Sequence, residues 1–369
     1  MNQQGVNSRP EFTGANRGSE RKMAEARGYA VLRAKEDLVP YSFTRRELRP
    51  NDVEISITFA GICHSDIHQG REEWGKALFP MVPGHEIVGR VRSVGAASKK
   101  FAVGALVGVG VFIDSCRTCE NCLAGLQQYC LEGMTGTYNT MERDGKSVAY
   151  GGYSNLIVVD ENYVVSVPET LPEAGVAPLM CAGITLYSPL RHWQAGPGKR
   201  VGIIGLGGLG HMGLKFAHAM GAHVTIFSHS ERKKADALAM GADDFVANPN
   251  EEYFKKKSTS FDLILNTVSV DVNLEAYLSL LRLNGTLVLI GLPGKPYEVP
   301  AGVLLNKRRR LAGSMIGGIP ELQEMLNFCG EKGITSDVEK ITPDYINKAW
   351  ERTVASDVKY RFVIDATKF

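Results

Sequence analysis

Cys116, Cys119, Cys122 and Cys130 form a CxxCxxCx7C run. Two-residue gaps let successive thiolates turn inward onto one ion, and the longer gap closes a fourth vertex. A tetrahedral zinc with sulfur bonds of about 2.3 Å is the expected occupant. A four-cysteine iron–sulfur cluster is the rival, although the ferredoxin spacing, with its Cys-Pro after three residues, is absent. With every vertex filled by protein, the ion has no place for substrate, and its work is to tie down a lobe that lacks its own core.

A second set is scattered. Cys63 opens the run Cys63-His64-Ser65-Asp66-Ile67-His68, the pair His85 and Glu86 follows, and Cys181 stands far downstream. Each alone reads as a small buried hydrophobe or an ordinary histidine. Together, Cys63, His85 and Cys181, with Glu86 adjacent, are the inventory of a catalytic zinc that keeps one position open. Spacing does not show that they converge.

Gly205, Leu206, Gly207, Gly208, Leu209 and Gly210 satisfy GxGxxG. The run follows an apolar strand at 201–204 and opens a helix, the context of a dinucleotide loop whose phosphates sit at the helix N-terminus. An NAD site needs an acidic residue at the end of the next strand. The chain instead has Ser228, His229, Ser230, Glu231, Arg232 and Lys233 there. Hydroxyls and cations suit a 2′-phosphate, so NADP(H) is the expected cofactor. Ser228 and Glu231 also have the spacing of a capping box for the next helix.

These residues need elements to hold them. From 28 to about 160, short strands at 53–57, 87–91 and 156–159 are broken by Gly and Pro, as in a β-rich, barrel-like region. After Cys181 the texture changes. Strands at 201–204, 223–227, 245–246, 263–265, 287–290 and 311–316 alternate with helices at 210–220 and 231–240, which indicates a doubly wound parallel sheet. A final strand at 360–364 has no legible partner. The apolar 311–316 strand, last in the α/β half, is a candidate sheet edge for pairing.

Composition bounds the rest. The chain has 369 residues, 44% hydrophobic and 22% charged, which excludes wholesale disorder and suggests two or three domains. A net charge of +2 gives no nucleic-acid-binding face. The longest uncharged stretch, 174–190, contains Pro178 and Pro189 and falls short of the roughly 20 apolar residues a spanning helix needs. Seven cysteines, four of them packed between Cys116 and Cys130, look like metal or catalytic thiols in a reducing, cytoplasmic setting. Residues 1–22 are polar, without periodicity or an apolar signal core, and are expected to be a disordered extension.

In order along the chain stand CHSDIH at 63–68, PGHE at 83–86, the four-cysteine run, CAGIT at 181–185, GLGGLGHMG at 205–213 and DVKYRFVID at 357–365. This series resembles the zinc-dependent medium-chain alcohol dehydrogenases, and within them the cinnamyl-alcohol-dehydrogenase branch with its bacterial NADPH-dependent aldehyde reductases. The resemblance implies a two-domain fold. A GroES-like catalytic domain with a zinc lobe would span 23–181 and a Rossmann NADP-binding domain 182–317, with 318–369 returning to the catalytic domain.

It implies two zinc ions: a catalytic one on Cys63, His85 and Cys181, with Glu86 able to move in, and a structural one on the four-cysteine run. It implies cofactor contacts from Thr185, the loop 205–210, the stretch 228–233, Thr267, Gly291, Ser314, Met315 and Ile316. Ser65 and His68 would relay the proton, with Ser65 reaching the cofactor ribose. Many plant members have Thr where Ser65 stands, so the hydroxyl is kept while the pocket volume changes. The implied reaction interconverts primary alcohols and aldehydes, in a homodimer. A polyol or secondary-alcohol dehydrogenase and a catalytically silent nucleotide-binding protein are the alternatives.

Overall fold

The computed structural model describes residues 23–369; the expected extension at 1–22 lies outside the described residues. Two large sheets organise the chain. In the first, Val164–Ser166, Leu106–Val109, Ile87–Val94, Asp52–Gly61, Arg361–Asp365 and Val338–Ile341 lie side by side, and Leu156–Asp160 also pairs with Asp52–Gly61. Most neighbours are antiparallel, and β-branched residues such as Val53, Ile55, Ile87, Val107 and Val164 point into a common core.

The pairing of the final strand is the part that sequence patterning left open. Arg361–Asp365 runs antiparallel to Asp52–Gly61 and parallel to Val338–Ile341. The C-terminal residues thus complete a sheet begun near position 52.

The second sheet is parallel, in the order Asp244–Ala247, His223–Ser228, Arg200–Ile204, Phe261–Asn266, Leu281–Leu289, Arg310–Gly313. Chain direction reverses its lateral progress at Arg200–Ile204, so this strand's C-terminal end opens the crevice where such sheets bind ligands. Gly205 follows with φ 93°. A Cβ on Gly210 would lie 2.0 Å from the Gly205 carbonyl oxygen, so only glycine lets the helix Gly210–Ala219 start this close to the strand.

Two local expectations are corrected. The segment 231–240 is a 3₁₀ turn, Glu231–Lys233, before the helix Lys234–Ala239. No capping box forms there, because Ser228 Oγ accepts the Ser230 N–H (3.3 Å) and the residue before the turn is Ser230. The edge strand ends at Gly313; Ser314, Met315 and Ile316 leave it, and Ile316 adopts φ 41°. No helix among the described residues is long and apolar enough to cross a membrane.

Candidate active site and metal centres

Cys63 caps the short helix His64–Gly70, which follows the strand Asp52–Gly61. Its N–H donates to Asp66 Oδ2 (2.9 Å), the third residue of the helix. His85 and Glu86 precede the strand Ile87–Val94, and Cys181 precedes the helix Ala182–His192. These three stretches meet: ligand atoms of Cys63, His85, Glu86 and Cys181 lie within 4.8 Å of one another, and all four residues are buried.

The donor chemistry fits a metal. His85 Nδ1 sits 3.2 Å from Asp66 Oδ1, which fixes the ring, and Nε2 is buried without a partner. The Cys63 thiol is drawn well below its ordinary value by the hydrogen bond from Cys181, whose own thiol is pushed up; a thiolate is already favoured between them. Burial pushes the Glu86 carboxyl up to about 7 against the pull of Arg361. Arg361 Nη2 donates to Glu86 Oε1, and Oε2 is left unpaired.

The four-cysteine run forms a second cluster, again with all ligand atoms within 4.8 Å. Backbone N–H groups point at the sulfurs: Cys119 N–H to Cys116 Sγ (3.3 Å), Cys116 N–H to Cys130 Sγ (3.3 Å) and Leu131 N–H to Cys119 Sγ (3.5 Å). Such donors favour thiolates, and those of Thr118 and Cys119 hold the Cys116 thiol down at about 6. The Cys116 and Cys122 sulfurs are 3.8 Å apart. Bonds of 2.3 Å to one tetrahedral ion give an edge of about 3.8 Å, so the spacing suits a single zinc and is too tight for a multi-iron cluster.

Ser65 Oγ lies 3.5 Å from Cys63 Sγ. His68 lies three residues after Ser65 on the same short helix, His64–Gly70. Its Nδ1 is 2.5 Å from Glu73 Oε2, and its ring stacks on Trp74 at 4.7 Å. Thr185 is buried at the start of its helix with Oγ1 unpartnered.

The residues expected to contact the nucleotide gather at the C-terminal ends of the parallel strands. The loop 205–210 leaves Arg200–Ile204, and 228–230 leave His223–Ser228. Thr267 follows Phe261–Asn266 and donates to the Ile204 carbonyl (2.8 Å). Gly291 and the stretch 314–316 follow the last two strands. Arg361 packs against Gly208 from the other sheet. Within 228–233, His229, Glu231 and Arg232 are exposed, while Lys233 Nζ turns back to donate to the Leu206 carbonyl (2.9 Å).

Sequence reasoning missed Asp66, Glu73 and Arg361. Asp66 had a local signal, an acidic residue three positions after a candidate ligand at a helix start. Arg361 had none, because its partner Glu86 is 275 residues away.

The family described as an alcohol dehydrogenase GroES-like domain matches residues 49–169, and that described as a zinc-binding dehydrogenase matches 208–331. The chain is 58% identical over 344 residues to the NADP-dependent alcohol dehydrogenase C 1 of Mycolicibacterium smegmatis, covering 93% of this chain and 98% of that one. A cinnamyl alcohol dehydrogenase structure from Sorghum bicolor superposes with a TM-score of 0.90 at 44% identity, covering 93% and 98% of the two chains. A CAD structure from Helicobacter pylori in complex with NADP(H) does so with 0.88 at 41% identity, covering 94% and 99%.

Proposed function

From the premise that the chain belongs to the zinc-dependent medium-chain dehydrogenase/reductase family, close to its bacterial NADP(H)-dependent alcohol dehydrogenases, we propose that Cys63, His85 and Cys181 hold its catalytic zinc. The protein is a zinc- and NADP(H)-linked oxidoreductase acting on alcohols and aldehydes. Our further reading is that it interconverts primary alcohols and aldehydes, aromatic or aliphatic. One observation carries the ligand assignment: the buried convergence of Cys63, His85, Glu86 and Cys181 beside a glycine loop.

When bound, the zinc supplies Lewis-acid polarisation of the substrate carbonyl, and the nicotinamide supplies the hydride. The chain's own residues do the rest. Asp66 holds His85 in the orientation that turns Nε2 into the pocket. Ser65, two residues after Cys63, gives its hydroxyl proton to the substrate oxygen during reduction. His68 restores protons from solvent at the outer end of the helix, with Glu73 orienting its ring. Arg361 holds Glu86 by Oε1 and leaves Oε2 without a partner, so the carboxylate is at hand as an alternate ligand.

Ser228, Ser230 and the cations Arg232 and Lys233 receive the 2′-phosphate, with no carboxylate at the strand end to repel it. We place the domain boundaries at 181/182 and 317/318. The exposed edge Arg310–Gly313, paired on one side only, is our candidate for a two-fold homodimer contact. Seven free cysteines agree with a cytoplasmic setting.

Metal analysis and kinetics on Cys181→Ala test the reading. The wild type is expected to hold two zinc ions per chain. The variant should hold one and lose activity on aldehydes and alcohols alike; an active variant with one zinc overturns the assignment. Initial rates on aldehydes against polyols decide the substrate class.

A further inference from the structure

Tyr360 sits in the DVKYRFVID stretch beside Arg361, and nothing in the reaction uses it. It is buried, at 4% exposure, and its backbone N–H donates to the Asp337 carbonyl (2.9 Å). Its ring touches two parts of the nucleotide cleft at once. The His211 imidazole stacks on it (centroids 5.0 Å apart, planes 12° from parallel), and the Lys233 ammonium lies 5.2 Å from its centroid. Its hydroxyl donates to Asp236 Oδ2 (3.0 Å), a carboxylate also held by Lys359 Nζ (2.9 Å).

Both ring neighbours are tied to the glycine loop. Lys233 Nζ donates to the Leu206 carbonyl, and His211 Nδ1 lies 3.1 Å from the Gly207 carbonyl while its Nε2 faces Ser336 Oγ at 3.0 Å. Lys233 is otherwise a long, flexible side chain in a solvent-facing turn, three residues from Asp236. The ring and the Leu206 carbonyl fix where its charge stands, and the phenol and Lys359 keep Asp236 engaged elsewhere.

We propose that Tyr360 is a positioning residue for cofactor choice, holding the Lys233 ammonium against the glycine loop so that the cleft is preset for the 2′-phosphate of NADP(H). The proposal rests on the reading of 228–233 as the adenosine-phosphate site. Discrimination between NADP(H) and NAD(H) then depends on a side chain immediately ahead of the other sheet's final strand, Arg361–Asp365, and not only on the strand-end residues that touch the nucleotide. A ring that merely filled space would support both cofactors equally. A ring that orients one cation matters only to the cofactor with the extra charge.

Equilibrium binding of NADPH and NADH to the zinc-loaded protein, followed by nicotinamide fluorescence, separates these roles. Tyr360→Phe keeps the π face and is expected to hold the NADPH/NADH affinity ratio within about twofold of wild type. Tyr360→Leu should lower that ratio roughly two- to thirtyfold, the range of a cation–π contact, by weakening NADPH alone. Lys233→Met should lower it too, and the double variant should fall no further than Lys233→Met.

Equal weakening of both cofactors in Tyr360→Leu, a Tyr360→Phe loss as large as the Leu loss, or additive losses in the double variant overturns the proposal. A wild-type ratio near one that Lys233→Met does not move overturns the phosphate-site reading, and the proposal with it. Should Tyr360→Leu fail to fold, ¹³C-dimethylated lysines in the wild type serve. The Lys233 signal, assigned through Lys233→Arg, is expected upfield from the ring current and to move with NADPH but not NADH; an unshifted Lys233 signal overturns the proposal.

Discussion

The four-cysteine lobe and the pocket of Cys63, His85, Glu86 and Cys181 each bring their ligand atoms within 4.8 Å, yet they are held in opposite ways. The lobe draws its sulfurs from one short run of chain, and its scaffold is backbone: N–H groups of Cys116, Cys119 and Leu131 aimed at sulfur. Cys116 and Cys119 are half-exposed. The pocket draws on three distant stretches, is wholly buried, and is oriented by side chains: Asp66 on His85, Arg361 on Glu86. A site made of one loop depends on its ion for shape. A site made of three elements has its shape from the fold and can leave a vertex free for chemistry.

The sharpest way to break this contrast is at the pocket's reactive edge. Ser65→Ala should lower turnover by well over tenfold, within the roughly 10²–10⁴-fold span of a positioned proton transfer, while both zinc ions remain. Unchanged turnover with chemistry rate-limiting removes Ser65 from the mechanism. Asp66→Asn tests the orienting shell. It should cost about 10- to 100-fold in pocket metal affinity or activity without touching the lobe's ion. Metal titration read beside kcat/KM checks it, and loss of the lobe's zinc instead breaks the contrast.

The lobe's own test is Cys119→Ser. Metal content should fall to one per chain, and amides across 116–131 should exchange rapidly by hydrogen-exchange mass spectrometry. The pocket's zinc should stay. Protected amides in that segment without the ion mean that packing, and not metal, shapes the lobe.

The smallest effect crosses between the regions. Gln127 Oε1 accepts the Ile319 N–H (3.1 Å) and Tyr129 Oη the Met315 N–H (3.1 Å), so the lobe grips the segment that follows the edge strand. Tyr129→Phe removes one such bond and should raise the KM for NADPH about two- to tenfold with kcat little changed. An unaltered KM separates the lobe from cofactor binding.

The same contrast explains what was legible in the sequence. The four-cysteine run declared itself because a tetrahedron built from neighbours leaves its spacing in the chain. The glycine loop did so because strand, turn and helix follow one another directly. Cys63, His85 and Cys181 could be nominated only as a set, since convergence is a property of the sheet and not of any spacing. The partner of Arg361–Asp365 was invisible because a strand's hydrophobic pattern gives its faces and not its neighbour. The capping-box spacing at Ser228 and Glu231 misled because a serine hydroxyl two residues back reached the Ser230 N–H first.

The insertion of Arg361–Asp365 beside Asp52–Gly61 has a consequence in time. Glu86 leaves the ribosome 275 residues ahead of the guanidinium that will hold it. At about 5–20 residues per second, that is a wait of roughly 14 to 55 seconds. Throughout it the nascent β-rich half has an open sheet edge and an unmatched buried acid, while the nucleotide half can already close behind it. A message cut short ahead of Arg361 would therefore yield a polypeptide with an intact Rossmann sheet and an unfinished pocket, a natural substrate for chaperones and proteases.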